Sequence, residues 1–252
     1  MSFAAGIIAA GEGLRLSRSH PGTVKPLVPV AGRPLSHWIA GTLRTAGARE
    51  LAVLTNSRGS AVAPSLSAAF PGLAFDFVTA DTASSYESFR LVSRRLAARE
   101  DAFLISTVDA LVPAADVARF WAECRAARAD AGLALTAHVD DEKPLWADVD
   151  EAGLVSAVGD DARTRRRVTC GLYFMTRSAA ERLPEPAAHP RLRDFWRSLV
   201  ASGARVSGPT LSKTLDVDRP EDVAAAETYL TIGGPALGTP LMKEIHASRS
   251  DA

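Results

Sequence analysis

The chain has 252 residues, enough for one large α/β domain or two small ones. Its 47% hydrophobic and 23% charged residues are those of an ordinary globule with a sizeable core. Lys plus Arg and Asp plus Glu balance at 29 each, so bulk charge argues for neither nucleic acid nor a membrane surface, and any anion site must be local.

Residues 3–9 form a short apolar run stopped by glycine, which reads as a buried strand. A long loop follows, and a helix over 34–46 has Leu35, Trp38, Ile39 and Leu43 at helical spacing and Gly47 as its stop. A strand over 51–55, a weak helix over 61–70 interrupted by Pro64, and a strand over 73–78 come next. The helix over 84–98, the buried strand 102–106, the helix 114–129 and the strand 133–139 continue the alternation. Strands alternating with helices imply a parallel sheet covered on both faces. The pattern then changes. Stretches 144–149 and 154–158 flank Asp150-Glu151-Ala152-Gly153, a hairpin turn, and 168–175 is another apolar strand. Arg163, Arg165, Arg166 and Arg167 form a basic run read as part of a hairpin. Helices are expected at 178–183 and 191–201, and short strands at 205–206 and 214–217. A helix over 220–230 starts with proline and carries Glu221 and Asp222 in its first turn. The expected class is α/β: a three-layer, Rossmann-like mixed sheet, mostly parallel, with an added antiparallel hairpin region.

Cys124 and Cys170 make no disulfide framework and read as buried thiols. No apolar run approaches the ~18 residues of a membrane span, and residues 1–10 lack a basic leader region. A cytoplasmic enzyme is the expectation. The five histidines show no metal-ligand spacing, and no nucleophile elbow is present.

The informative stretch is the loop after the first strand. Gly11 and Gly13 let backbone N–H groups approach oxygens closely, and Arg15 and Lys25 add two cations. Ala10 completes the turn. A dinucleotide-binding loop needs glycine where Leu16 stands, and a P-loop needs G-K-[ST], which is absent. Gly11-Glu12-Gly13-Leu14-Arg15-Leu16, followed by Lys25-Pro26-Leu27-Val28-Pro29-Val30-Ala31-Gly32-Arg33-Pro34-Leu35, resembles the nucleotidyltransferase family that makes nucleotide-activated sugars and alcohols. That family's pattern is roughly G-x-G-x-R-[LM], a spacer, then P-K-x-L-x-x-V-x-G-x-P-[LM]. One departure is Val24, where proline usually precedes the lysine.

The resemblance implies a nucleotide-diphospho-sugar transferase-like fold. It implies one nucleotidyltransferase domain over 1–231, with a nucleotide-binding part about 1–112, an acceptor-binding part about 113–231, and a tail, 232–252. It implies Mg²⁺ held by Asp109, just past a buried strand, and by a second carboxylate in Leu215-Asp216-Val217-Asp218. Asp218 is favoured and Asp216 is the alternative. Arg15 and Lys25 take the catalytic roles, and Ala10, Gly11 and Gly13 the phosphates. Ser85 and Ser88, in Thr82-Ala83-Ser84-Ser85-Tyr86-Glu87-Ser88-Phe89, are candidate nucleotide contacts, read equally as an N-cap and ordinary helix surface. Trp146, Gly171 and Lys213 are candidate acceptor contacts, with Trp146 at least as readily a core residue. The implied partners are an NTP and a phosphorylated sugar or alcohol, with sugar 1-phosphates, phosphocholine and inositol phosphate all open. No nucleic acid or membrane partner is expected, and the tail from Gly233 onward is a candidate contact for a homo-oligomer. Competing readings are a glycosyltransferase of related fold, for which Asp216-Val217-Asp218 and Asp148-Val149-Asp150 supply a loose D-x-D, and a non-catalytic nucleotide-binding relative.

Overall fold

The computed structural model describes residues 2–16, 19–139 and 143–231. In chain order it contains β1 (Phe3–Ala9), β2 (Pro29–Val30), β3 (Arg33–Pro34), α1 (Leu35–Thr45), β4 (Ala48–Thr55), α2 (Val62–Ala69), β5 (Ala74–Thr79) and α3 (Ser85–Ala97). There follow β6 (Ala102–Thr107), β7 (Ala110–Leu111), α4 (Ala114–Ala126), β8 (Ala131–Thr136), β9 (Ala147–Val149), β10 (Val155–Val158) and β11 (Val168–Thr176). The chain closes with α5 (Arg177–Glu181), α6 (Leu192–Ala201), β12 (Val206–Ser207), β13 (Thr210–Leu211), β14 (Leu215–Asp216) and α7 (Pro220–Thr231). Among the described residues no helix is long and apolar enough to cross a membrane.

The main sheet runs β12-β8-β11-β6-β1-β4-β5, with β13 also on β8. Strands β6, β1, β4 and β5 are parallel neighbours, and β11 runs against both β6 and β8. Side chains alternate across such a sheet with period two, and the strands divide between two cores accordingly. Ala5, Ile7, Leu51, Val53, Leu104 and Phe174 face one side, packed by Ile39 and Leu43 of α1, Leu66 of α2 and Phe120 of α4. Ala4, Ala52, Leu54, Phe103, Ile105 and Tyr173 face the other, under Phe89, Val92 and Leu96 of α3 and Phe195 and Trp196 of α6. Near-continuous apolar strands are what a sheet buried on both faces demands. The three layers of the expected class are therefore present.

Phe89 sits at the centre of the second core, fully buried, with its ring against Tyr173, Phe195 and Trp196. Phe89→Ala is expected to cost about 3–5 kcal/mol through lost transfer energy and an unfilled cavity. A urea midpoint that falls with an unchanged m-value checks this.

Several local expectations are corrected. Pro64 does not interrupt α2: it is the third residue of Val62–Ala69, where the first-turn N–H groups have no partner in the helix. The basic run at 163–167 is not in a hairpin, because β10 pairs with β9 and β11 pairs with β6 and β8. It is a loop folded over Asp148, whose carboxylate accepts from Arg163 N at 2.6 Å and Thr164 N at 3.1 Å. The expected β9–β10 hairpin forms, with Asp150 Oδ1 accepting from Ala152 N and Leu154 N. The Asp148-Val149-Asp150 triplet is thus occupied in closing loops.

Candidate active site

Parallel strands carry their carboxyl ends to one edge, and ligands in open α/β sheets bind there. Here β1, β4 and β6 end together at Ala9, Thr55 and Thr107. The loop after β1 is fastened by Asn56, at the end of β4, whose Nδ2 donates to the Ala10 carbonyl at 3.0 Å. Arg58 also reaches Glu12 at 3.2 Å. Leu16, fully buried, anchors the far side of the loop, leaving Gly11 and Arg15 exposed.

Asp109 follows β6, held beside the second acidic stretch by backbone pairing. β7 pairs antiparallel with β14, placing Asp216 opposite Ala110, and Val217 N donates to the Asp109 carbonyl at 3.1 Å. Asp222 fixes the next turn, its Oδ2 accepting from Asp218 N at 2.9 Å and Arg219 N at 2.7 Å. Glu221 and Asp222 are helix-start acids, and Asp222 additionally holds the backbone of Asp218.

Lys25 stands between these carboxylates. It opens the 3-10 turn Lys25–Leu27 and is only 6% exposed. Its Nζ donates to Asp109 Oδ2 at 2.6 Å and to Asp218 Oδ1. Val24, the departure from the resembled pattern, has φ −71° and ψ 145°, the extended geometry that proline would impose. Gly13 lies against the Lys25 stem in the left-handed region, φ +61°, and a Cβ there would sit 2.6 Å from Lys25 Cβ. Arg15 Nη1 reaches Asp218 Oδ2 at 3.4 Å across solvent-exposed space, a weak contact in high dielectric.

The charges support one another. Burial alone would lower the Lys25 pKa, but Asp109, Asp218 and Asp216 outweigh it and raise it above the ordinary 10.5. Burial likewise works against ionised Asp109. The Lys25 ammonium and the Thr107 hydroxyl overcome that and hold its carboxyl below the usual range. Both groups stay charged at neutral pH.

A cavity of about 340 Å³ opens beside the cluster. Asp109 and Asp216 line it, with Thr107, Gly171 and Tyr173. His138, at the end of β8, and Arg191 and Arg193, at the start of α6, add basic groups to its wall. Arg191 is held by both oxygens of Asp194 at 3.0 and 3.1 Å, and Arg193 donates to the Lys143 carbonyl at 2.9 Å. Ser85 lines the cavity and accepts from Leu192 N at 3.0 Å, joining the starts of α3 and α6.

The structure gathers Arg15, Lys25, Asp109 and Asp218 in one cluster next to Ala10–Gly13, and puts Asp216, Gly171 and Ser85 on the cavity. It does not bring the other three candidates there. Ser88 is buried, bonded to Thr82 Oγ1 at 2.6 Å and the Ser84 carbonyl. Trp146 bridges to Val168 beside β9 and is absent from the cavity lining. Lys213 extends over the Tyr229 ring, 5.5 Å from its centroid, and does not line the cavity. Sequence reasoning missed Asn56, Thr107, His138, Arg191 and Arg193.

Cys170 also lines the cavity, and its Sγ donates to the Ala134 carbonyl at 3.3 Å. Burial pushes its thiol up to about 12, and burial raises Cys124 further still. Both shifts favour the neutral thiol, whereas the nucleophile is the thiolate. Neither thiol is expected to react with iodoacetamide at pH 8 until the protein is unfolded, which mass spectrometry checks.

Fold and site together define a nucleotidyltransferase. Residues 5–201 match the MobA-like NTP transferase domain family, and the chain belongs to it. Among solved structures, the inositol-1-phosphate CTP transferase from T. maritima superposes with a TM-score of 0.76 at 17% identity, covering 92% of this chain and 96% of that one. HddC from Yersinia pseudotuberculosis gives 0.72 at 17%, covering 90% and 99%. The UDP-glucose pyrophosphorylase from Acinetobacter baumanii gives 0.75 at 16%, covering 94% and 96%. These likenesses show the fold. No curated protein matches the sequence.

Proposed function

We propose that the enzyme transfers the nucleoside monophosphate of an NTP to the phosphate of a sugar or cyclitol phosphate, releasing pyrophosphate. The observation that carries this reading is the ammonium of Lys25 shared by Asp109 and Asp218, with Gly13 of the glycine loop against its stem and Asp109 on the cavity wall. A phosphate monoester is largely ionised at pH 7, its second pKa being ~6. The acceptor oxygen therefore needs no general base to attack the α-phosphorus. What the reaction needs is relief of repulsion between two anions, by positioning and charge. Backbone N–H groups of Ala10–Gly13 hold the triphosphate. Arg15 takes the leaving pyrophosphate with its forked cation, and Lys25 stabilises charge at the α-phosphate.

The donor set suits magnesium. Asp109 and Asp218 offer hard oxygens, and the described residues hold no cluster of three or more His, Cys, Asp or Glu able to cage an ion. Mg²⁺ is commonly bound by one or two carboxylates together with substrate phosphates. Asp109 and Asp218, with Asp216 as the alternative second ligand, would hold it. Bound there it supplies positive charge to the phosphates.

The cavity supports a hydroxylated acceptor over phosphocholine. Ser85, Thr136, Thr169 and Thr214 give it hydroxyl groups, and Arg191, Arg193 and His138 can meet the acceptor's phosphate. The rings of Tyr173 and Trp196 stack on each other at 5.4 Å and are buried, so they form no cage for a quaternary ammonium. Relatives in fold that act on inositol phosphate, or are named for UDP-glucose, agree with this. We place the reaction in the cytoplasm, where the two unbridged cysteines would stay reduced.

The test is a pyrophosphate-release screen with Mg²⁺, crossing the four common NTPs with sugar 1-phosphates, inositol 1-phosphate and phosphocholine. Release with a sugar or inositol phosphate is expected. Release with phosphocholine alone overturns the acceptor assignment. NTP binding without release from any pair favours the non-catalytic reading.

A further inference from the structure

The position between the two carboxylates is already taken. Lys25 is 6% exposed, and its ammonium bonds to Asp109 Oδ2 at 2.6 Å and to Asp218 Oδ1. Arg15 lies 3.4 Å from the remaining Asp218 oxygen. The acidic pair thus meets two cations of the chain itself before any ligand arrives. A divalent ion seeking the same oxygens must either displace the ammonium or sit beside it, and both oppose its binding. The obstacle is mechanically linked to the phosphate loop, since Gly13 packs on the Lys25 stem and leaves no room for a Cβ between them. A triphosphate on that loop offers Lys25 and Arg15 a larger total negative charge than either carboxylate carries.

We infer that Lys25 is a built-in counter-ion that closes the Asp109–Asp218 pair to divalent cations until a triphosphate draws it away, so that metal and nucleotide enter together. The inference rests on reading this pair as the metal site. It makes Lys25 an occupant of that site in the free enzyme as well as a contact of the nucleotide. It also gives Arg15 a lesser part in the same exclusion.

The experiment is Mn²⁺ binding to the full chain without nucleotide or acceptor, followed by the electron paramagnetic resonance signal of the free ion. Lys25→Met is expected to bind Mn²⁺ at least about tenfold more tightly than wild type, because one unit of positive charge leaves the site. Lys25→Arg keeps that charge and is expected to stay within about threefold of wild type. Adding Asp109→Asn to Lys25→Met should remove the gain, which locates the ion. Should Lys25→Met fail to fold, Arg15→Gln, altered only at an exposed side chain, is expected to tighten Mn²⁺ binding about threefold. Equal affinity in wild type and the variants overturns the inference, as does a gain that survives loss of the Asp109 carboxylate. Because no substrate is present, the outcome is independent of the pyrophosphate screen. Tighter Mn²⁺ binding with no pyrophosphate release would remove the transfer reading and leave the counter-ion standing.

Discussion

Lys25→Ala is expected to lower kcat for pyrophosphate release by at least about 10²-fold, the loss typical of a missing transition-state donor. The stem of the side chain is packed against Gly13 of the glycine loop, which restricts where its ammonium can go once a triphosphate has drawn it from the carboxylates. Water replacing it would have to reorganise as charge moves from the α-phosphate to pyrophosphate. The same substitution changes the pH dependence of stability, with a sign that can be worked out. Lys25 has a raised pKa in the folded chain, so its contribution is full below the ordinary 10.5 and is lost as pH climbs above it. Asp109 has a depressed one, so its contribution is full above 3.8 and is lost as pH falls below it. The variant loses the Lys25 contribution at every pH where it was present and leaves exposed Arg15, 3.4 Å from Asp218, as the cation still in contact with the acidic pair. Steady-state kinetics at saturating substrate, with urea unfolding at several pH values, checks both parts. Turnover within threefold of wild type would remove Lys25 from the chemistry.

What could be read from the sequence was whatever repeats with a fixed period or spacing. The strand at 3–9 was legible because both faces of a central strand are apolar, and the nucleotide loop because its glycines, arginine and lysine lie on one continuous segment. Two-residue strands such as β7 and β13 carry no periodicity, and they exist only because a partner strand arrives from far along the chain. The cavity was hidden for the same reason. Its wall is assembled from the ends of β6 and β8, the middle of β11 and the starts of α3 and α6. One signal was available and unused. Arg191 and Arg193 stand at the N-terminal end of α6, where the helix dipole disfavours cations, and residues placed against a local rule often serve a site. Trp146, by contrast, was a candidate for its ring and its place before the hairpin, and it spends its backbone on β-bridge and turn contacts.

Gly171→Ala is expected to cut kcat/KM about 10²-fold, since misplacement by about an ångström costs that much. Gly171 was a candidate acceptor contact, and the structure gives it a second reason to be glycine. Its φ is +76°, and the pairing of β11 with β8 is irregular between Thr169 and Tyr173 around it. A Cβ there would lie 2.4 Å from Thr107 Oγ1 and 3.0 Å from Ala110 Cβ. Thr107 is the hydroxyl that bonds Asp109, and Ala110 follows Asp109 in the chain. The added methyl group must push β11 away from Thr107 and Ala110, the residues on either side of the turn that carries Asp109. Left-handed backbone costs an alanine ~1–2 kcal/mol and overpacking adds ~1–3 kcal/mol, so Tm should fall by roughly 4–20 °C. Gly153→Ala separates strain from collision. Its φ is +78°, but nothing lies within 4 Å of its Cβ position. That variant should lose a comparable strain energy while keeping kcat/KM within about twofold, because its hairpin turn touches no residue of the cluster. Equal activity loss in both variants would mean that Gly171 acts through global stability. Full activity in Gly171→Ala would mean that Asp109 tolerates a displaced support, and the assignment of Thr107 and Gly171 as its positioning residues would fall.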